Sequence, residues 1–149
     1  MIQSEAITWN APDSDHPARL ASQQSAATVA RGAKEEWVAL FAADGLVEDP
    51  VGPSIFDPEG KGHVGHHGIG AFWDLAIAGV QRFHFTITDS FANGDSCANV
   101  GTITSILEDG TRVDTEGVFV YRVNDEGLIR SMRAHWEFDR AMATIGRQT

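Results

Sequence analysis

Cysteine is almost missing from this chain. Cys97 stands alone, so no internal disulfide can form, and this usage fits a reducing compartment. Basic residues are scarce as well: 11 Lys and Arg face 21 Asp and Glu, a net charge of -10. Phosphate contacts need clustered cations, so this balance excludes a nucleic-acid partner and argues against docking on anionic membranes. Nothing approaches the roughly 20 consecutive apolar residues that span a bilayer. The stretch from Met1 to Asp15 carries neither a basic nor an apolar signal region, so no secretory leader is expected. Internal repeats and low-complexity segments are lacking too. The expectation is a soluble, cytoplasmic protein.

What is present suits one core. The chain has 149 residues, 42% of them hydrophobic, enough for a single domain. Residues 1–16 read as an N-terminal arm, with Asn10, Pro12, Asp13, Ser14 and Asp15. Residues 17–149 read as the domain. Pro17 suits a first helical turn, and the Ala- and Gln-rich run to about Arg31 predicts a helix ending at Gly32. Ala33, Trp37, Leu40 and Phe41 then form one apolar stripe at helical spacing. This predicts a second helix, stopped by Asp44-Gly45. Residues 52–65 form a Gly- and Pro-rich loop, long enough to rim or cover a site. Ile69, Phe72, Trp73 and Ala76 mark a third helix from about His66 to Ala78.

The remainder reads as strands. Phe83, Phe85 and Ile87 alternate within Arg82–Phe91. Ser96–Leu107 is followed by the hairpin signal Glu108-Asp109-Gly110, then Thr111–Val123, a turn at residues 124–127, and Leu128–Phe138. A helical turn over about Asp139–Ile145 closes the chain. Helices followed by antiparallel strands predict an α+β fold: a cone-shaped, curved, mainly antiparallel sheet wrapped around three N-terminal helices, with a pocket between them.

One stretch carries chemistry. In Val47-Glu48-Asp49-Pro50-Val51-Gly52 an acid sits among apolar neighbours. Proline disfavours the α region for the residue before it, so Asp49 should be extended, sharing a face with Val47 and Val51 while Glu48 points to water or pairs across the sheet. Burial raises a carboxyl pKa towards neutrality, where the group can shuttle protons. Tyr121, the single tyrosine, shares a face with Phe119 and is a candidate hydroxyl donor. Trp37, Phe41, Val47, Phe72, Trp73, Phe119, Met132, Ala134 and Trp136 are the candidate pocket wall, since ligand sites are largely apolar.

Other clusters read as structural. His63, His66 and His67 lack a well-spaced Cys or carboxylate for a metal site, so no metal and no cofactor are expected. Alternation turns His84 and His135 away from the apolar face. Arg112 and Asp114 read as an exposed cross-strand charge pair.

These residues resemble a known family. Leu40-Phe41-Ala42-Ala43-Asp44 followed by Val47-Glu48-Asp49-Pro50-Val51-Gly52 is similar to the start of the delta-5-3-ketosteroid isomerases. Phe72-Trp73, Tyr121-Arg122-Val123-Asn124 and Ser131-Met132-Arg133-Ala134 fit the family's aromatic pair and last hairpin. The resemblance runs from about Ala30 to Trp136. It implies the nuclear transport factor 2-like (SnoaL-like) cone fold and a homodimer. It also implies a small hydrophobic ligand such as a steroid, with Asp49 as the base that moves a proton beside a ketone. The family stabilises the resulting oxyanion with a Tyr and a protonated Asp. Those positions fall on Ser25 and Phe119 here. The alternatives are a binding module with the same pocket and no turnover, or a lyase or hydrolase of the same superfamily.

Overall fold

Residues 4–147 are described by a computed structural model. A three-residue strand, β1 (Ile7–Trp9), precedes α1 (Pro17–Ala30) and α2 (Lys34–Ala39). Next come β2 (Phe41–Glu48), β3 (His63–Val64) and α3 (Gly65–Phe72), which runs on into a π-helical turn at Trp73–Ile77. The long strands β4 (Val80–Asn93), β5 (Ser96–Leu107), β6 (Thr111–Val123) and β7 (Ile129–His135) follow. They lead to α4 (Phe138–Met142) and a short β8 (Gly146–Arg147). The sheet order is β1-β4-β5-β6-β7-β2-β3, with β8 beside β6. β1 with β4 and β2 with β7 are parallel pairs; the others are antiparallel. This is the expected α+β architecture, a curved, unclosed sheet with helices in its concavity.

Local chemistry explains the first helix. Pro17 opens it, His16 Nδ1 accepts a hydrogen bond from Ala18 N, and Gly32 leaves it with a φ of 68°. Glycine takes that left-handed turn without penalty.

Two sequence expectations change. The second helix stops at Ala39, and Phe41, expected on its stripe, starts β2. Phe41 pairs with Ile129, and Val47 pairs with Met132. Non-local pairing overrides the local period here. The strand expected at Val47–Val51 therefore begins earlier and ends at Glu48, because Pro50 has no N–H for a ladder. The Asp49–Pro50 peptide is cis. The second correction concerns the arm. Residues 7–9 are an edge strand, and Ile7 and Trp9 join Phe85 and Ile87 in a buried cluster against α1. Met1 to Gln3 lie outside the described residues.

Two glycines sit where neighbouring strands of the curved sheet approach most closely. Gly101 on β5 pairs with Gly117 on β6. A Cβ on Gly101 would strike the backbone oxygen of Thr86, and one on Gly117 that of His135. A register shift between Ile87 and Asp89 on β4 lies beside Gly101, and such bulges increase bending. No helix among the described residues is long and apolar enough to cross a membrane.

Candidate functional site

A cavity of about 390 Å³ lies between α1, the π-helical turn and the concave face of the sheet. Asp49 lines it, just beyond the end of β2. Trp136, immediately after β7, donates its indole N–H to Asp49 Oδ1 at 2.6 Å. Among the described residues no donor reaches Oδ2, so Oδ2 is the oxygen open to a ligand. Removal from bulk water raises the Asp49 pKa from 3.8 to about 6, with the Trp136 hydrogen bond opposing the rise. Burial penalises the charged form, and a donated hydrogen bond favours it.

Polar groups on α1 meet polar groups on the sheet. Tyr121 donates its hydroxyl to Ser25 Oγ at 3.1 Å, and Trp37 Nε1 donates to the same oxygen at 2.9 Å. One helical turn earlier, Asn99 Nδ2 donates to Ser22 Oγ at 2.9 Å. Asn99 Oδ1 accepts from Ser90 Oγ at 2.7 Å, and Ser90 in turn accepts from Arg19 Nε at 3.0 Å. Ser22, Ser25, Asn99 and Tyr121 all line the cavity. Burial pushes the Tyr121 phenol up to about 12, partly countered by its bond to Ser25 and reinforced by the negative charge of Asp49.

Of the residues singled out from sequence, Trp37, Asp49, Phe72, Phe119, Tyr121, Met132 and Trp136 line the cavity. Phe41, Val47, Trp73 and Ala134 sit one layer behind it as core. Phe41 packs edge-on against Trp37 with ring centroids 5.0 Å apart, and Trp73 lies 5.5 Å from Trp37. Val47 and Ala134 are fully buried on β2 and β7. Glu48 reaches across to Arg133 at 2.8 Å. The loop ahead of α3 adds Ile55 and Phe56 to the cavity wall.

The histidines lie elsewhere. His63 packs on Phe72, His66 Nε2 bonds the Phe41 carbonyl at 2.8 Å, and His84 bonds Thr8 and the Glu5 carbonyl. His135 is exposed on the outer face. Arg112 pairs with Asp114 along one strand rather than across two; the cross-strand partner of Asp114 is Thr104, at 2.6 Å. Ser22 and Asn99 were not anticipated. Asn99 carries one signal, a polar residue at an inward-facing strand position two residues from the buried Cys97; Ser22, on α1, carries none.

Residues 23–132 match the model of the SnoaL-like domain. The chain belongs to that family, within the nuclear transport factor 2-like superfamily. Among curated proteins there is no match. Among solved structures this SnoaL-like chain is similar to Rv0760c from Mycobacterium tuberculosis. Identity is 37%, covering 91% of this chain and 100% of that one, with a TM-score of 0.83. A second structure of that protein, in complex with estradiol-17β-hemisuccinate, matches at 39% identity over 83% and 96% of the two chains, TM-score 0.77. A computationally designed 17-OHP binder matches at 35% over 88% and 99%, TM-score 0.81. The delta-5-3-ketosteroid isomerase from a Mycobacterium species matches at 32% over 89% and 99%, TM-score 0.78.

Proposed function

We propose that this protein takes a steroid or similar small hydrophobic carbonyl compound into the cavity and moves a proton beside the carbonyl, with Asp49 as the base. The observation that carries the reading is a carboxylate with a pKa of about 6 in an apolar cavity, fixed through one oxygen by Trp136 and open at the other. A base titrating near neutrality is ionised at physiological pH, yet basic enough to accept a carbon-bound proton. Asp49 Oδ2 takes the proton from the carbon between the carbonyl and a double bond. The C–H electron pair forms a new C=C bond, and the carbonyl π pair moves onto oxygen as a dienolate. Return of the same proton to the far end of the dienolate restores the ketone with the double bond shifted into conjugation. No cofactor or metal enters these steps. The neighbouring structures that bind estradiol-17β-hemisuccinate and 17-OHP, and the isomerase, support this ligand class.

The test is ultraviolet-monitored conversion of a 5-ene-3-ketosteroid to its conjugated 4-ene isomer. Turnover by the unsubstituted protein and its loss in Asp49→Asn are expected. A second reading, a steroid-binding module without turnover, draws on Phe119: a phenyl ring offers no donor to an oxyanion. Steroid-dependent quenching of tryptophan fluorescence with no ultraviolet change would select it. The reading includes a homodimer in the cytoplasm, for which light scattering in solution gives the oligomeric state.

A further inference from the structure

Ser25 holds an unusual position in the hydrogen-bond inventory of the cavity. A hydroxyl has two acceptor lone pairs and one hydrogen. Both lone pairs of Ser25 Oγ are filled, one by Tyr121 Oη at 3.1 Å and the other by Trp37 Nε1 at 2.9 Å. The Trp37 bond has only one possible direction, because an indole N–H cannot accept. Among the described residues nothing accepts the Ser25 hydrogen. The side chain is buried and lines the cavity. Its neighbour one turn earlier behaves differently: Ser22 spends its hydrogen on the Arg19 carbonyl at 2.7 Å.

We propose that Ser25 presents its O–H to the ligand's carbonyl oxygen and, during proton transfer, to the oxyanion, with Tyr121 and Trp37 acting behind it as positioning residues. The inference rests on the ligand reading above. Two donors directed at one oxygen draw electron density from it and strengthen the hydrogen bond that oxygen donates. A serine so placed is a better donor than a free alcohol. Ser25, Tyr121 and Asp49 all line the same cavity, as the chemistry needs. Tyr121 keeps its own proton throughout and donates it to Ser25. No bond to the Ser25 hydrogen breaks: it stays on Oγ while the ligand oxygen gains and loses negative charge. Phe119 therefore need not be replaced by a donor from elsewhere.

Androst-4-ene-3,17-dione, labelled with carbon-13 at the C3 carbonyl, is the probe. Isotope-edited infrared difference spectra read the strength of the hydrogen bond to that carbonyl. In the unsubstituted protein the band lies below its position in an apolar solvent. Tyr121→Phe keeps most of that displacement, since Ser25 still donates. Adding Ser25→Ala to Tyr121→Phe abolishes it and weakens binding about tenfold. In the isomerase assay the second substitution lowers kcat by about 10². The double variant is used because Ser25→Ala alone releases the Tyr121 hydroxyl towards the ligand; Trp37→Phe is carried in both backgrounds, because Ser25→Ala also frees the Trp37 indole N–H at the cavity wall. Ser25→Cys in the Tyr121→Phe background keeps the volume with a weak donor, and gives an intermediate band.

Loss of the whole displacement in Tyr121→Phe alone would make Tyr121 the donor and overturn the proposal. A displacement that survives in the double variant also overturns it, as does an undisplaced band in the unsubstituted protein. Failure of the unsubstituted protein to bind any ketosteroid is a different result: it removes the ligand reading and this inference together.

Discussion

Trp136 holds Asp49 by one oxygen, its indole N–H donating to Oδ1 at 2.6 Å. The carboxylate is thereby aimed into the cavity with Oδ2 free. The same bond lowers the Asp49 pKa against the upward effect of burial. Trp136→Phe keeps an apolar wall and removes the donor. The Asp49 pKa then rises above about 6, because the charged form loses a favourable partner. A lost hydrogen bond to a charge is worth about 1.5–3 kcal/mol, so the acidic limb of the rate profile moves alkaline by at least about one pH unit. A pH–rate profile measures it, and an unmoved limb would remove Trp136 from control of the base.

Asp49 also makes a stability prediction. Its folded pKa, about 6, lies above the unfolded value near 3.8. Below about pH 4 both states are protonated and the residue contributes nothing. Between pH 4 and 6 the native state binds more protons than the unfolded chain, so stability falls as pH rises. Above about pH 6 the penalty is complete. The full interval corresponds to about 3 kcal/mol; the open cavity screens the charge, leaving on the order of 2 kcal/mol. Asp49→Asn should therefore be more stable than the parent at pH 8 by that amount, with the gain vanishing at pH 4. Urea melts at the two pH values give the comparison.

The polar clamp between α1 and the sheet supplies another. Asn99 joins Ser22 on the helix to Ser90 on β4, and Arg19 closes the chain through Ser90. All four side chains are buried. Asn99→Ala leaves Ser90 without its acceptor, and an unsatisfied buried group costs about 1–3 kcal/mol. Asn99→Asp should be worse than Asn99→Ala, since it loses the donor to Ser22 and buries a charge near an apolar wall. Thermal unfolding ranks the two.

Sequence order explains which features could be read in advance. Ser96–Leu107 and Thr111–Val123 occupy the expected spans, because β-branched runs bounded by Glu108-Asp109-Gly110 are local signals. Phe41 misled because its spacing from Trp37 continues a helical stripe, whereas its strand pairing to Ile129 is set 88 positions away. Ile7–Trp9 is too short for any period to register. Asp49 was legible as an acid among apolar neighbours. The Trp136 donor, and the pairing of Ser22 with Asn99 and Ser25 with Tyr121, were not: each joins elements far apart in the chain, and no spacing encodes them.

Gly101 tests whether sheet curvature makes the cavity. Here the cross-strand neighbour of Gly101 is another glycine, Gly117, and each faces a backbone oxygen of the next strand outward. Neither oxygen is the end of a flexible side chain, so a methyl group at Gly101 cannot be absorbed by a rotamer change. β4 and β5 must separate, or the bend must relax. Overpacking of this kind costs about 1–3 kcal/mol, and the backbone partner places Gly101→Ala at the upper end. Relaxing the bend also moves Phe85 and Ile87, which line the cavity from β4, away from α1. Gly101→Ala should thus lose ketosteroid affinity as well as stability, whereas Gly94→Ala, at a hairpin turn with open space around its Cβ position and a φ of 61°, should lose stability alone. Urea midpoints and fluorescence titrations on both variants separate the two effects; equal affinity in Gly101→Ala would show that the pocket does not depend on this bend.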